Sequence, residues 1–483
     1  MSMGKQILEM FSADNFILLF QLLYIFTAIG VIIVIVTENR NPLKTISWVL
    51  ILVFLPLVGL VIYYFFGEDG RKKRLISHKM FKKLKRKSVA HYERAESLVA
   101  PPGFAGLVNL LRKVKGSPLY GGNKITFYSD GTAKFEALFE ELEKAKRFIH
   151  IQYYIFMDDE IGYRTRDILV RKAQEGVKVR LLYDDVGSWK AKRRFFQDME
   201  SYGIEVEAFL KTKFRFLASR VNYRNHRKIV VIDGKVGFVG GMNIADRYIK
   251  GVEFGVWRDN HIKVEGKAVA SLQTAFIIDW YYSRKEFLGA DTYFPVVAEK
   301  GEVLMQSVTS GPVGPYKAIH LGILQAIFEA KESIYIQTPY FIPTDALLLA
   351  IQTAAMRGVD VRLMIPRHCD TMFVHIATKS FLKEVLDTKV KVYLYEPGFL
   401  HSKMIIVDDS LVITGSTNMD VRSFEHNFEI NVFIYNKETC AKAKQIFFDD
   451  MSESTLLLLE EWESRSRIEK LKESVVRMFS PLL

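Results

Sequence analysis

Cysteine is nearly missing from this chain. Its two thiols, Cys369 and Cys440, leave nothing from which to build a disulfide framework, which excludes the small disulfide-stapled classes and fits a reducing compartment. Acidic residues are the minority, 55 against 67 basic ones, for a formal net charge of +12. A partner is therefore expected to be anionic, either nucleic acid or an anionic membrane surface. No cluster of carboxylates of the kind a two-metal site needs stands out, so no metal and no cofactor is expected. Charge is absent altogether from two stretches of 21 residues, 16–36 and 46–66. A signal peptide has one short apolar region before a cleavage site. Two full-length runs in succession predict two transmembrane helices instead.

The flanks of these runs suggest an orientation. The intervening loop carries only Arg40 and Lys44 against Glu38, whereas residues 71–87 are crowded with lysine and arginine. By the positive-inside rule this places the basic segment, and all that follows, in the cytoplasm. The expectation is a multi-pass protein of a bacterial cell membrane with cytoplasmic catalytic domains. The expected layout is a membrane anchor over 1–70, a basic linker over 71–115, one domain over 116–300, a second over 301–460 and an amphipathic tail over 461–483. In that tail Ile468, Leu471, Val475 and Met478 or Phe479 recur at helical spacing, as suits a helix resting on a membrane or on the domains.

Beyond residue 115 the chain repeats itself. A helix followed by the apolar run 148–156 is echoed by a helix followed by 333–342, with Ala145 matching Ala330, 185 positions on. "EGVKVRLLYD" is echoed by "RGVDVRLMIP", with Gly176 against Gly358, and "YGIEVEAFL" by "TKVKVYLYEP". Ordered landmarks at a nearly constant offset predict an internal duplication. Short apolar strands between helices predict an α/β class, with each copy a sheet covered on both faces. The "GPVGP" at 311–315 marks a candidate hinge between the copies.

Each copy ends in the same motif: His-x-Lys, four residues, Asp, six residues, Gly-Gly/Ser-x-Asn. The first is His226, Lys228, Asp233, Gly240, Gly241, Asn243; the second is His401, Lys403, Asp408, Gly415, Ser416, Asn418. Residues i and i+2 of a strand share a face, so each histidine projects with its lysine. Asp233-Gly234 reads as a two-residue hairpin and Asp408-Asp409 takes the same place, which suits the motif aspartates to turning or anchoring. The glycines allow close backbone approach and amides for an anion, and the asparagines add donors.

Two such sites facing one another supply what transfer from a phosphodiester requires. Lysines and amides neutralise charge on phosphate oxygens, one imidazole attacks phosphorus, and the other protonates the leaving alkoxide. Each imidazole needs a carboxylate to fix its tautomer. Asp259 and Glu429, in similar strand contexts, are the candidates, and the sequence leaves open which serves which histidine. Arg422, four residues past Asn418, is a candidate to orient phosphate or Glu429. Arg367 and His368 are weaker headgroup candidates, with Cys369 a packed neighbour rather than a nucleophile. His150 and His261 lie in strand-like runs and suit structural roles. Trp257 and Arg258 either line the pocket or pack. In 211–228, and at Phe399 and Leu400, basic and apolar side chains mix as suits anionic lipid at an interface, although the same mixture also suits single-stranded nucleic acid.

These motifs, with "IQYYIFMDDEIG" and "STNMDVRSFEHNFEI", resemble the phospholipase D superfamily and, within it, bacterial cardiolipin synthases. The resemblance implies two phospholipase D-like α/β/α sandwich domains with paired active-site motifs. It implies phosphatidyl transfer from one phosphatidylglycerol to another, giving cardiolipin and glycerol, with no nucleic acid as partner. Homo-oligomerisation stays open. The resemblance assigns the nucleophile to His226 and leaving-group protonation to His401. Water as acceptor, phosphatidylserine synthesis or related headgroup exchange, and a catalytically dead lipid binder are the competing readings. The last predicts losses in at least one motif, and both are complete.

Overall fold

The computed structural model describes residues 13–37, 42–55, 57–66, 98–211, 223–289, 291–312, 314 and 316–480. The basic run 71–87, most of the mixed basic-aromatic segment and parts of the 311–315 hinge lie outside the described residues. The chain divides into an amino-terminal unit and a larger compact body that holds both motif copies.

In the amino-terminal unit α1 spans Ala13–Thr37. Its segment Ile17–Thr37 is the one stretch among the described residues long and apolar enough to cross a membrane. The second expected span is not one helix. It is divided into α2 (Pro42–Phe54) and α3 (Val58–Phe66), with Leu57 between them at a left-handed φ of 60°. The sequence places Pro56 there, and a proline inside a helix removes an amide donor and clashes with the preceding turn. Helices of 13 and 9 residues reach about 20 and 14 Å at the usual rise, short of about 30 Å of hydrocarbon. This overturns the expected multi-pass arrangement, and with it the cytoplasmic placement drawn from two spans.

The body is built on one sheet of 15 strands. The first copy supplies β1 (Tyr120–Tyr128), β2 (Phe148–Tyr153), β3 (Lys178–Asp184), β4 (Glu205–Phe209), β5 (Ile229–Ile232), β6 (Val236–Gly240) and β7 (His261–Glu265). The second supplies β8 (Val303–Ser310), β9 (Ser333–Gln337), β10 (Asp360–Pro366), β11 (Lys391–Tyr395), β12 (Met404–Val407), β13 (Leu411–Gly415) and β14 (Glu429–Tyr435), with β15 (Ser454–Leu457) at its outer edge. Their order is β15-β11-β10-β9-β12-β13-β14-β8-β1-β7-β6-β5-β2-β3-β4. Apart from β15 the two halves are mirror-ordered about the antiparallel β1–β8 seam. Within each half three strands run parallel and the rest antiparallel. The copies thus share a continuous sheet.

The motif strands are apolar throughout because both faces are covered. In β5, Val230 and Ile232 enter one core while Ile229 and Val231 enter the other. In β12, Ile405 and Val407 alternate with Met404 and Ile406 in the same way. One of these cores holds side chains of both copies. At the far end of the chain the helix Arg467–Arg477 packs on the helix Met372–Leu386 through Arg477, whose guanidinium lies 4.2 Å from the Phe381 ring. Its apolar residues Ile468, Leu471 and Val475 remain exposed.

Candidate active site

Each motif uses its strand as a ruler. His226 and Lys228 lie just before β5, with the β5–β6 hairpin at the other end. In that hairpin Asp233 and Gly234 both take positive φ, 53° and 69°, as a two-residue turn of this kind requires. Asp408 and Asp409 do the same at 46° and 51°. The hairpin aspartates therefore sit about 20 Å from the histidines along extended chain. Asp233 accepts hydrogen bonds from the amides of Lys146, Arg147 and Phe148 at 2.8–2.9 Å. Asp408 accepts those of Lys331, Glu332 and Ser333 at 2.7–2.9 Å. Each thereby ties the start of the neighbouring antiparallel strand, β2 or β9, to the motif hairpin. Both aspartates thus serve as anchors at the far end of the strand from the histidines. Asp233→Ala is expected to cost about 2 kcal/mol or more of stability, as loss of hydrogen bonds to a charged group does. The thermal midpoint should fall while kcat of the folded enzyme stays within about twofold, and Asp233→Asn, which tolerates the left-handed φ, should fall less.

The histidines meet at the copy interface. The backbone amide of His226 donates to the Phe428 carbonyl at 2.9 Å, and that of His401 to the Arg258 carbonyl at 2.6 Å. The segments Val256–Arg258 and Gly398–Leu400 pair in parallel across the same interface. The carboxylates are exchanged as a result. His226 Nδ1 lies 3.0 and 3.2 Å from the two oxygens of Glu429, which belongs to the second copy. His401 Nδ1 lies 2.6 Å from Asp259 Oδ2, which belongs to the first. Both carboxylates are fully buried and otherwise bonded. Glu429 accepts from the Ser416 hydroxyl and from Asn427 Nδ2, and Asp259 from the Asn260 amide. With Nδ1 turned to a carboxylate, each imidazole keeps Nε2 for chemistry.

The Gly/Ser difference between the motifs follows from this. A Cβ on Gly241 would meet Asp259 Oδ1 at 2.1 Å. In the other copy Ser416 stands where its hydroxyl caps Glu429. The backbone amides of Gly241 and Ser416 are spent on the carbonyls of Asn260 and Ile430. They are thus not the anion donors expected from the sequence. Asn243 and Asn418 do line the cavity, each with part of its amide engaged, by Tyr248 and by Asp420.

Burial sets the protonation states. It pushes the Lys228 amine down to about 7 and the Lys403 amine down to about 8, against the pull of Glu429 and Asp259. It also lowers both imidazoles, with Lys228 and Lys403 adding to the effect. The carboxylates diverge. Burial pushes Asp259 up to about 6. It opposes ionisation of Glu429 too, but His226, Lys228 and the Ser416 hydroxyl outweigh it and hold that carboxyl below its ordinary value. Each lysine ammonium also donates to the carbonyl of its own histidine, so the two charges are held beside the two rings.

Above the pair opens a cavity of about 390 Å³. His226 and His401 lie in its wall with Tyr154, Trp257, Tyr340 and the arginines Arg224, Arg247 and Arg422. Arg224, expected to face lipid from its basic run, is buried against Asp184 at 3.5 Å. Arg367 pairs with Glu396 and is not in the wall, nor is His368; their neighbour Asp370 is. The Cys369 thiol is pushed up to about 12 by burial and suits no nucleophile. His150 is buried against Gln273. Arg258 pairs with Asp450, while Trp257 lines the cavity. The sequence reading missed Arg247, although it stands four residues past Asn243 just as Arg422 stands four past Asn418.

This geometry agrees with what the chain resembles. Residues 138–280 and 323–451 each match the family model described as "Cardiolipin synthase, PLD-like domain". The chain belongs to this phospholipase D-like family. Residues 22–68 match the "Phospholipase_D-nuclease N-terminal" model. The cardiolipin synthase of Geobacillus kaustophilus is 38% identical over 474 residues, covering 96% of this chain and 94% of its own. The major cardiolipin synthase ClsA of Bacillus subtilis is 39% identical over 477 residues, covering 96% and 99%. Among solved structures, phosphatidylserine synthase of Haemophilus influenzae superposes with a TM-score of 0.61 at 15% identity, over 78% of this chain and all of its own. That likeness speaks for the shared fold.

Proposed function

We propose that this chain is a cardiolipin synthase that moves a phosphatidyl group from one phosphatidylglycerol to the terminal hydroxyl of another, releasing glycerol. The observation that carries the reading is the exchanged pair: two buried histidines, each oriented by the other copy's carboxylate and each beside a lysine, under one cavity. The stronger anion, Glu429, faces His226, which favours Nε2 of that ring as the nucleophile. Attack forms the Nε2–P bond and breaks the P–O bond to glycerol. His401 gives that oxygen its proton, taken up as the anionic headgroup enters, since a nearby negative charge raises an imidazole's proton affinity. The acceptor hydroxyl then forms a new P–O bond as Nε2–P breaks, and its proton passes to His401. Lys228 and Lys403 hold the phosphate oxygens, and the incoming anion favours their charged forms. We also place the two catalytic domains at 116–300 and 301–460, since one motif pair lies in each.

The test is a product analysis on the full chain in detergent or liposomes. The substrate is phosphatidylglycerol labelled in both headgroup glycerol and acyl chains, with no nucleotide or nucleotide-linked lipid. Cardiolipin with equimolar free glycerol is expected. Phosphatidic acid and glycerol with no cardiolipin would make water the acceptor and overturn the transfer reading.

A further inference from the structure

We propose that Arg247 holds the phosphodiester of the acceptor lipid, in a second anion subsite on the His401 side of the cavity; this rests on the transfer reading above. The Arg247 guanidinium lies 4.8 Å from the Trp257 ring, and that indole's centroid is 5.3 Å from the His401 ring. Arg247 and His401 thus both adjoin the Trp257 ring, and all three line the cavity. Arg247 is half-buried, and no carboxylate among the described residues lies within ion-pair distance of it. The neighbouring Arg224, Arg227 and Arg258 are each engaged, by Asp184, Asp279 and Asp450. The buried indole N–H of Trp257 has no hydrogen-bond partner among the described residues. A planar guanidinium stacked on an aromatic face and left without a carboxylate is preset for a two-point grip on phosphate.

The side follows from the reaction. In an in-line displacement the leaving oxygen departs opposite the attacking nitrogen. With His226 as nucleophile, glycerol leaves on the His401 side, and the entering hydroxyl takes the same place. The acceptor's own phosphorus lies six bonds from the phosphorus under attack, about 7 Å when extended. That reach carries it along the His401 side of the cavity, whose wall holds Trp257 and Arg247. Arg422 occupies the equivalent position in the other copy, in the wall with Tyr154, whose ring is 4.9 Å from His226. It therefore falls on the donor side. Water carries no phosphate and gains nothing from Arg247. The residue thereby sets the partition between transfer and hydrolysis.

The experiment measures cardiolipin and phosphatidic acid from phosphatidylglycerol mixed micelles with the full chain and its variants. Arg247→Gln should lower kcat/KM for cardiolipin by about tenfold or more. The ratio of phosphatidic acid to cardiolipin should rise, and an unchanged thermal midpoint certifies that the variant is folded. Arg247→Lys should recover part of the loss. Arg422→Gln should lower both products together. An unchanged product ratio in Arg247→Gln overturns the proposal. A ratio shifted by Arg422→Gln instead overturns both the subsite and the choice of His226 as nucleophile. Wild type that makes no cardiolipin overturns the transfer reading itself, a result separate from either.

Discussion

Alanine at His226 abolishes formation of the covalent intermediate, and turnover falls by about 10⁴-fold or more, as expected when the nucleophile of a double displacement is removed. Alanine at His401 also stops turnover of phosphatidylglycerol, by about 10²–10⁴-fold, the usual worth of a general acid. The two variants separate on a substrate whose leaving group needs no proton. With a p-nitrophenyl phosphodiester, His401→Ala should still give a burst of nitrophenol and an acid-labile phosphohistidine. His226→Ala should give neither. Near-normal synthesis in either purified variant would remove the two-histidine mechanism. A burst in His226→Ala but not in His401→Ala would exchange their roles.

The second large effect comes from the exchanged carboxylates. Glu429→Gln and Asp259→Asn keep the shape of each pocket but remove the charge that fixes the Nδ1–H tautomer. Loss of such a carboxylate costs up to about 10⁴-fold in kcat. Because the partners lie 203 and 142 residues apart, double variants test the pairing directly. His226→Ala with Glu429→Gln should be no worse than His226→Ala alone, since groups acting as a unit are not additive. His226→Ala with Asp259→Asn should show no such masking. The pH profile carries the same information. Asp259 sits at about 6 in its buried site, so its charge is lost as pH falls through that value. An acid limb near pH 6 is therefore expected in the wild type. It should vanish in Asp259→Asn and survive in Glu429→Gln. An acid limb unchanged in Asp259→Asn would show that another group titrates there.

Much of this site could be read from the sequence because its signals are local. The offset landmarks fix the duplication, the Asp233-Gly234 pair fixes a hairpin, and the i, i+2 rule puts each lysine beside its histidine. The rest depends on contacts that no local pattern encodes. Which carboxylate serves which histidine is decided by the β1–β8 seam and by the crossing of Val256–Arg258 with Gly398–Leu400. The motif aspartates recur in both copies of the pattern but stand at the far end of the strand from the histidines. Gly241 is explained only once Asp259 is seen beside it. The apolar count of residues 46–66 hid the effect of one proline, since hydropathy is blind to where a helix must break. Arg247 was available from its spacing alone, four residues past Asn243 as Arg422 is past Asn418.

The exchange of carboxylates across the seam has a consequence for how such a protein can change. Each half holds the other's orienting group, so neither can drift towards silence without disabling its neighbour. A lesion in one half will be felt as a defect of chemistry in the other. Two copies made redundant by duplication would ordinarily be free to diverge. Here the seam makes them mutual hostages, and that interdependence is sufficient to preserve both.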